Sequence, residues 1–363
     1  MAKTTPPASR RPGNGSPGGS SLVWMDAASP RFEKRGLAWW AENGGRYCRL
    51  PSRARGTVRD AVWELAQHTA GVRVCFATDS SVVAVRVRNL HANVMPHMPA
   101  TGSGGCHLYE GEPYRMRPLA VAVPDQQSSA YERTLVSGLS RRRRQFTLYL
   151  PLYNAVQELH IGLNRGARLG RIDPPALDKP VVFYGTSITQ GGCAALPGSD
   201  FVASACRALN LDFVNLGFSG NGRGEPEMAA LVREIDACLY VLDYVANVDE
   251  RTLARTLSVF YRLLRERQPH TPVVLLPRFI NWAAAYGGPA RASFEATRDI
   301  VIAFYARCRQ RGDANVHFID SLGLMPPGLA AAYCDGGHPA DHGFQVVAER
   351  LAPQLACLLF GRG

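Results

Sequence analysis

Val181-Val182-Phe183-Tyr184-Gly185-Thr186-Ser187-Ile188-Thr189-Gln190-Gly191 reads as a buried strand that runs into a glycine-containing turn. Four consecutive apolar residues without polar alternation suit a strand covered on both faces, the usual environment in a parallel sheet. The sequence that follows keeps the matching rhythm. A helical stretch at Asp200 to Leu209 leads to a strand at Asp212 to Leu216, a helix at Pro226 to Ala237 and a strand at Leu239 to Asp243. A helix at Glu250 to Arg267, a strand at Pro272 to Leu276, a helix at Ala290 to Arg311, a strand at Val316 to Asp320 and a last helix at His342 to Leu359 complete it. Strands alternating with helices predict an α/β fold, a parallel sheet sheathed on both faces, with functional groups gathered at the carboxyl ends of its strands.

Upstream the period changes to two. Val72 to Ala77 and Val82 to Arg88 alternate apolar and polar residues, and strand-like runs recur at Leu119 to Val123, Gln145 to Leu150 and Glu158 to Leu163, separated by polar or Gly/Pro-containing turns. That pattern predicts an all-β sandwich, jelly-roll-like, over residues 22–170. A weakly periodic helical stretch, Arg59 to Gln67, interrupts it. Residues 171–178 read as a linker and 179–360 as the α/β part. Met1 to Ser21 is rich in Pro, Gly, Ser and Thr, carries Lys3, Arg10 and Arg11, and reads as a disordered basic tail.

A length of 363 residues exceeds what one compact core needs, and 46% hydrophobic with 20% charged residues excludes wholesale disorder. The formal charge of +11 is uneven: residues 1–179 hold 25 Lys plus Arg against 13 Asp plus Glu, and residues 180–363 hold 16 against 17. The run Arg141 to Arg144 reads either as a grip for an anionic surface or as a solvated turn between strands. No nucleic-acid motif accompanies it, so no nucleic-acid partner is expected. No apolar run of signal-peptide length follows the basic tail, and no stretch of about 18 apolar residues exists to span a membrane. Nine cysteines, odd in number and scattered, show no CxxC pair and no Cys/His cluster with zinc-ligand spacing, which points to reduced thiols in a cytoplasm.

Four loops carry the candidate chemistry, each following a predicted parallel strand or opening the last helix. Ser187, directly after a buried strand and two residues beyond Gly185, sits where a hydroxyl is presented at the sheet edge; the same loop can equally cradle a phosphate. It has neither a Walker lysine nor GxSxG spacing. Asp335 and His338, three apart in a glycine-containing loop, can set a carboxylate on one imidazole nitrogen and leave the other for a serine, or form a loop hydrogen bond and helix cap. Asn215-Leu216-Gly217-Phe218-Ser219-Gly220-Asn221-Gly222 and Asp243-Tyr244-Val245-Ala246-Asn247 offer a backbone N–H at Gly220 and a side-chain amide at Asn247 as donors to a developing oxyanion, or ordinary turn residues. Cys193, six residues after Ser187, reads as a buried thiol or a border of the pocket. Phe279 to Tyr286 reads as a pocket cap or as a helix start packed on the sheet.

In this order Ser187, Gly220, Asn247 and His338, with Asp335 three before His338, resemble the four block residues of the SGNH (GDSL-like) hydrolases. The resemblance covers residues 179 to 360. It implies a flavodoxin-like three-layer α/β/α domain with a five-stranded parallel sheet, a catalytic triad of Ser187, His338 and Asp335, oxyanion donors at Gly220 and Asn247, and no metal or organic cofactor. The first block reads Gly-Thr-Ser where the family usually has Gly-Asp-Ser, and GTSITQG marks a subgroup that often carries an N-terminal β domain named for a GxDLY motif. Gly105-Cys106-His107-Leu108-Tyr109 resembles that motif with histidine in place of its aspartate. The implied activity is removal of a small acyl group, acetyl first, from a sugar or other polar small molecule through an acyl-enzyme. Transfer of the same acyl group to a metabolite, or a non-catalytic binder of acidic polymers, are the competing readings. Oligomeric state stays open.

Overall fold

The computed structural model describes residues 22–92, 95–125 and 127–361. The stretch 1–21, expected as a tail, lies outside them. Two antiparallel sheets form the N-terminal part. The first has the strand order β1 (Leu22–Asp26), β9 (Val156–Asn164), β4 (Val83–Asn89), β7 (Ala130–Val136). The second runs β10 (Leu169–Gly170), β3 (Arg73–Thr78), β8 (Arg144–Tyr149), β5 (Cys106–Glu110), β6 (Arg117–Ala122), with β2 (Glu33–Arg35) also paired to β3. Val74, Phe76, Val85, Val87, Leu108, Phe146, Leu148 and Ile161 fill the space between them. The alternation in β4 has a direct cause: its valines face this core while Arg86 and Arg88 point outward to Glu132 and Glu158.

Strand β5 shows no such alternation because both its faces are buried. Cys106 and Leu108 join the sandwich core, whereas His107 and Tyr109 face the C-terminal half, His107 Nδ1 lying 3.0 Å from the Pro197 carbonyl and Tyr109 packing with Tyr149. The histidine at the motif's aspartate position is therefore an interface group. Burial pushes its pKa down to about 4, so the ring is neutral. Strands β1, β5 and β7 escape a period-two reading, β5 for this reason. Within the arginine run, Arg141 lies 3.7 Å from Asp79, Arg143 Nη2 donates to the Arg171 carbonyl and Arg144 to that of Ser140, so three of the four are engaged with the chain itself.

The C-terminal sheet is wholly parallel, in the order β12 (Phe213–Gly217), β11 (Val181–Gly185), β13 (Leu239–Asp243), β14 (Val273–Leu275), β15 (Val316–Phe318). Helices α4 (Phe201–Ala208) and α10 (Asp341–Phe360) cover one face. The other is covered by α5 (Pro226–Val232), α6 (Glu250–Arg267) and α8 (Gly288–Gln310). Asp200 and Asp249 start α4 and α6 by accepting from the N–H groups of Ala203 and Thr252. Because β11 lies between β12 and β13, successive connections leave it in opposite directions and open a crevice at its carboxyl end.

One element joins the unexpected layer. The helix read at Arg59 to Gln67 is α1 (Asp60–Ala66), and it packs not on the β sandwich but on the parallel sheet, with Trp39, Leu50, Ala54, Val58, Val62 and Ala66 against Val182, Tyr184, Val214 and Leu216. Beside it Arg49, fully buried, donates Nη1 to the Asn215 and Gly217 carbonyls (3.0 and 2.7 Å), Nε to His68 O and Nη2 to Leu65 O. Carbonyl oxygens rather than a carboxylate accept this buried charge, and burial lowers its pKa to about 10. Among the described residues no helix is long and apolar enough to cross a membrane.

Candidate active site

Ser187 opens α3 (Ser187–Gln190), immediately beyond β11, and Thr186 accepts from Ile188 N–H to start the turn. The serine is nearly buried, and its Oγ lies 2.8 Å from His338 Nε2. His338 Nδ1 lies 2.8 Å from Asp335 Oδ2. The other carboxylate oxygen accepts from the backbone N–H groups of Gly337 (2.9 Å) and His338 (2.7 Å). Cys334 N–H donates to His338 O, closing the loop. Burial pushes the Asp335 carboxyl up, but the hydrogen bonds from His338 and Gly337 outweigh it and hold the group at about 2. Asp335 is therefore a carboxylate at neutral pH, the form that holds an imidazole Nδ1–H and stabilises an imidazolium.

Gly220 and Asn247 come to the same edge of the sheet on the loops after β12 and β13. Gly220 adopts φ +67°, and it is exposed. Asn247 ends a short helical turn, and its Nδ2 makes a long bond, 3.4 Å, to the Phe218 carbonyl. Hydrogen bonds thus link Ser187, His338 and Asp335 directly, while Gly220 and Asn247 stand on adjoining loops without a bond to the three among the described residues.

Several residues that sequence reasoning passed over hold these loops in place. Gln190 Oε1 accepts from Ser219 N–H (3.0 Å), and its Nε2 donates to Leu152 O and meets His68 Nδ1, so one amide ties the serine helix to the Gly220 loop and to the N-terminal part. Asn215 Nδ2 donates to Thr189 O, and Thr189 Oγ1 donates to Asp243 Oδ2 (2.7 Å). Asp243 is fully enclosed, and burial pushes its carboxyl up to about 8 against the lowering effect of the Thr189 bond. Tyr153 Oη donates to the Ser187 carbonyl (3.3 Å). The string GTSITQG contains Thr189 and Gln190, yet nothing local in it shows what they bond to.

The aromatic stretch resolves into α7 (Trp282–Tyr286). Phe279 and Ile280 are buried, whereas Trp282 is half exposed, donates its backbone N–H to Gly336 O and packs its ring edge-on to Tyr333. Its start is packed and its exposed ring leans on the loop that carries Asp335 and His338. One further short helix flanks the site, α2 (Ala100–Ser103), where Thr101 Oγ1 donates to Ala195 O. Asp341, at the start of α10, accepts from Ala195 N–H.

Residues 178–356 match the GDSL-like Lipase/Acylhydrolase family, and residues 22–169 match GxDLY, the N-terminus of the SGNH-hydrolase type of esterase. Among solved structures the chain is similar to a protein from Bacteroides ovatus ATCC 8483 described as a GDSL-like lipase, at 25% identity over 93% of this chain and 98% of that one, TM-score 0.85. It is similar in fold to the salicylyl-acyltransferase SsfX3 of a tetracycline biosynthetic pathway, at 24% identity over 93% and 97% of the two chains, TM-score 0.77. A family two carbohydrate esterase from Cellvibrio japonicus shares the fold at 13% identity, 93% and 98% coverage and TM-score 0.60. No curated protein matches. The parallel sheet, the antiparallel sheets before it and the two family matches that run in succession from residue 22 to 356 agree, and the chain belongs to the SGNH, GDSL-like family of serine ester hydrolases with a GxDLY-type N-terminal part.

Proposed function

We propose that this protein removes a short acyl group, acetyl first, from a sugar or another polar alcohol through an acyl-enzyme on Ser187. In this reading His338 takes the serine proton as Oγ attacks the acyl carbonyl and returns it to the departing alcohol. Asp335 steadies the imidazolium, and water, deprotonated by His338, then releases the acid. The N–H groups of Ser187 and Gly220 and the Asn247 amide receive the oxyanion, which requires Asn247 to release its long bond to Phe218. The continuous Ser187–His338–Asp335 hydrogen-bond chain, 2.8 Å at both imidazole nitrogens, carries the reading.

The surroundings favour a polar substrate. Beside Asn247 lies an open groove of about 670 Å³ lined by Arg223, Glu225, Asp249, Thr252 and Arg255, groups suited to hydroxyls. The side chains of His338 and Asp335 are 30% and 35% exposed, which gives water the access that hydrolysis of an acyl-enzyme needs.

The test is fluorophosphonate labelling of the wild type and Ser187→Ala, followed by p-nitrophenyl esters of rising chain length. Labelling only of the wild type, loss of turnover in Ser187→Ala by at least about 10⁴-fold, and fastest turnover of acetate are expected. Labelling that persists in Ser187→Ala rejects the nucleophile, and a preference for long chains rejects the substrate class. Release of a labelled acyl group to a polar acceptor in preference to water turns the reading to acyl transfer.

A further inference from the structure

Three residues from three distant stretches meet beside the candidate triad: His97, from the loop ahead of α2, Cys193, from the loop after α3, and Asp335 itself. A ring nitrogen, Sγ and a carboxylate oxygen from these residues all lie within 4.8 Å of one another. We propose that His97, Cys193 and Asp335 form a Zn²⁺ site, and that zinc there switches the esterase off by cancelling the Asp335 charge on which His338 relies. The inhibitory half of this proposal rests on the triad proposed above; the binding half does not.

The donor set selects the ion. One imidazole nitrogen, one thiolate and one carboxylate oxygen suit Zn²⁺, whereas Mg²⁺ and Ca²⁺ prefer oxygen alone. Tetrahedral zinc with ordinary bond lengths sets its ligand atoms about 3.3–3.8 Å apart, so closure asks for a contraction of about 1 Å. His97 and Asp335 are both exposed, which leaves the ion a path from solvent, and since Asp335 is held by its hydrogen bonds the contraction falls mainly to the His97 side chain. Cys193 is the fixed member: it is buried and holds φ +75°, a costly conformation for a residue with a Cβ. Cys334 Sγ donates to the His97 carbonyl (3.3 Å), which fastens the His97 segment to the Asp335 loop, and the Cys334 thiol also neighbours that of Cys193.

Binding displaces the Cys193 thiol proton to solvent, since the thiolate is the ligand. Asp335 Oδ1 already accepts two backbone N–H groups, whereas Oδ2, among the described residues, accepts only from His338 Nδ1–H and keeps a lone pair for an ion. The ion therefore binds at Oδ2, beside the His338 ring. There its positive charge offsets the carboxylate's and disfavours the imidazolium that turnover must form.

The full-length reduced protein is titrated with Co²⁺ alone, then with Zn²⁺, and ester turnover is followed in parallel. One equivalent of Co²⁺ with thiolate-to-cobalt charge-transfer absorption, bleached by Zn²⁺, is expected for the wild type. Cys193→Ser should abolish the band and His97→Ala should weaken binding. Both variants should keep metal-free turnover and escape the reversible zinc inhibition of the wild type. No charge-transfer band, or a band that survives in Cys193→Ser, overturns the site. A band of the expected origin in an active esterase that zinc leaves at full rate overturns the switch alone. A chain with no ester turnover rejects the proposed function, while the absorption titration still decides the binding.

Discussion

Asn247 and Asp335 are the side chains whose local surroundings separate a role in chemistry from a role in packing. Asn247 makes one long bond, to Phe218 O, so little folding energy depends on its amide. If the amide serves the oxyanion, Asn247→Ala will lower kcat by about 10²–10³-fold with an unchanged melting temperature. Steady-state kinetics beside thermal unfolding checks this, and equal losses in both would make Asn247 a structural residue. Asp335 behaves differently. Its carboxyl is held at about 2, against 3.8 for the free side chain. Its contribution to stability is therefore present above about pH 4 and is lost as pH falls towards 2, so a decline of activity at mildly acid pH does not come from protonation of Asp335.

At the scale of elements, β11 and β13 pair in register so that Gly185 lies opposite Asp243, and α3 folds back over this end to place Thr189 on the Asp243 carboxyl. The native state holds the Asp243 proton up to about pH 8, whereas the unfolded chain releases it near 3.8. Between those values the folded protein binds more protons, so this group's stabilisation is complete below about pH 4 and is lost as pH rises through about 8. Asp243→Asn, which still offers an oxygen to Thr189, should remove that dependence. Melting temperatures of the two proteins across this range check it: the advantage of the wild type should shrink steadily with rising pH. A constant difference would mean that Asp243 is ionised in the fold.

For the molecule as a whole, the N-terminal part is structural to the candidate site and is not merely adjacent to it. It supplies α1 to one face of the parallel sheet, Arg49 to the carbonyls of β12, and Tyr153 to the Ser187 carbonyl. The two halves meet tightly at Gly102, where an added Cβ would stand 2.1 Å from the Ala194 carbonyl oxygen. Gly102→Ala must therefore push α2 off the loop that carries Cys193 and Ala194. A stability loss of about 1–3 kcal/mol is expected, with a fall in turnover, measured by denaturant unfolding and ester hydrolysis. Residues 178–361 expressed alone should aggregate, because Val182, Tyr184, Val214 and Leu216 lose the cover of Leu50, Val62 and Ala66. A soluble, fully active fragment would refute this account of the interface.

The order of strands and helices after Val181, and the residue types at each strand end, are written in the sequence, because hydrophobic period and turn chemistry act over a few residues. From them the parallel sheet, its buried first strand and the loops that bear Ser187, Gly220, Asn247 and His338 are legible. Boundaries slipped where packing decides: α5 stops at Val232, short of the expected Ala237, and β5 hid because both its faces are covered. The destination of α1, the use of His107 as an interface group, the carbonyl cage of Arg49 and the meeting of His97, Cys193 and Asp335 had no local signature. Each depends on contacts between stretches tens to hundreds of residues apart, and only the folded chain brings those atoms within bonding distance.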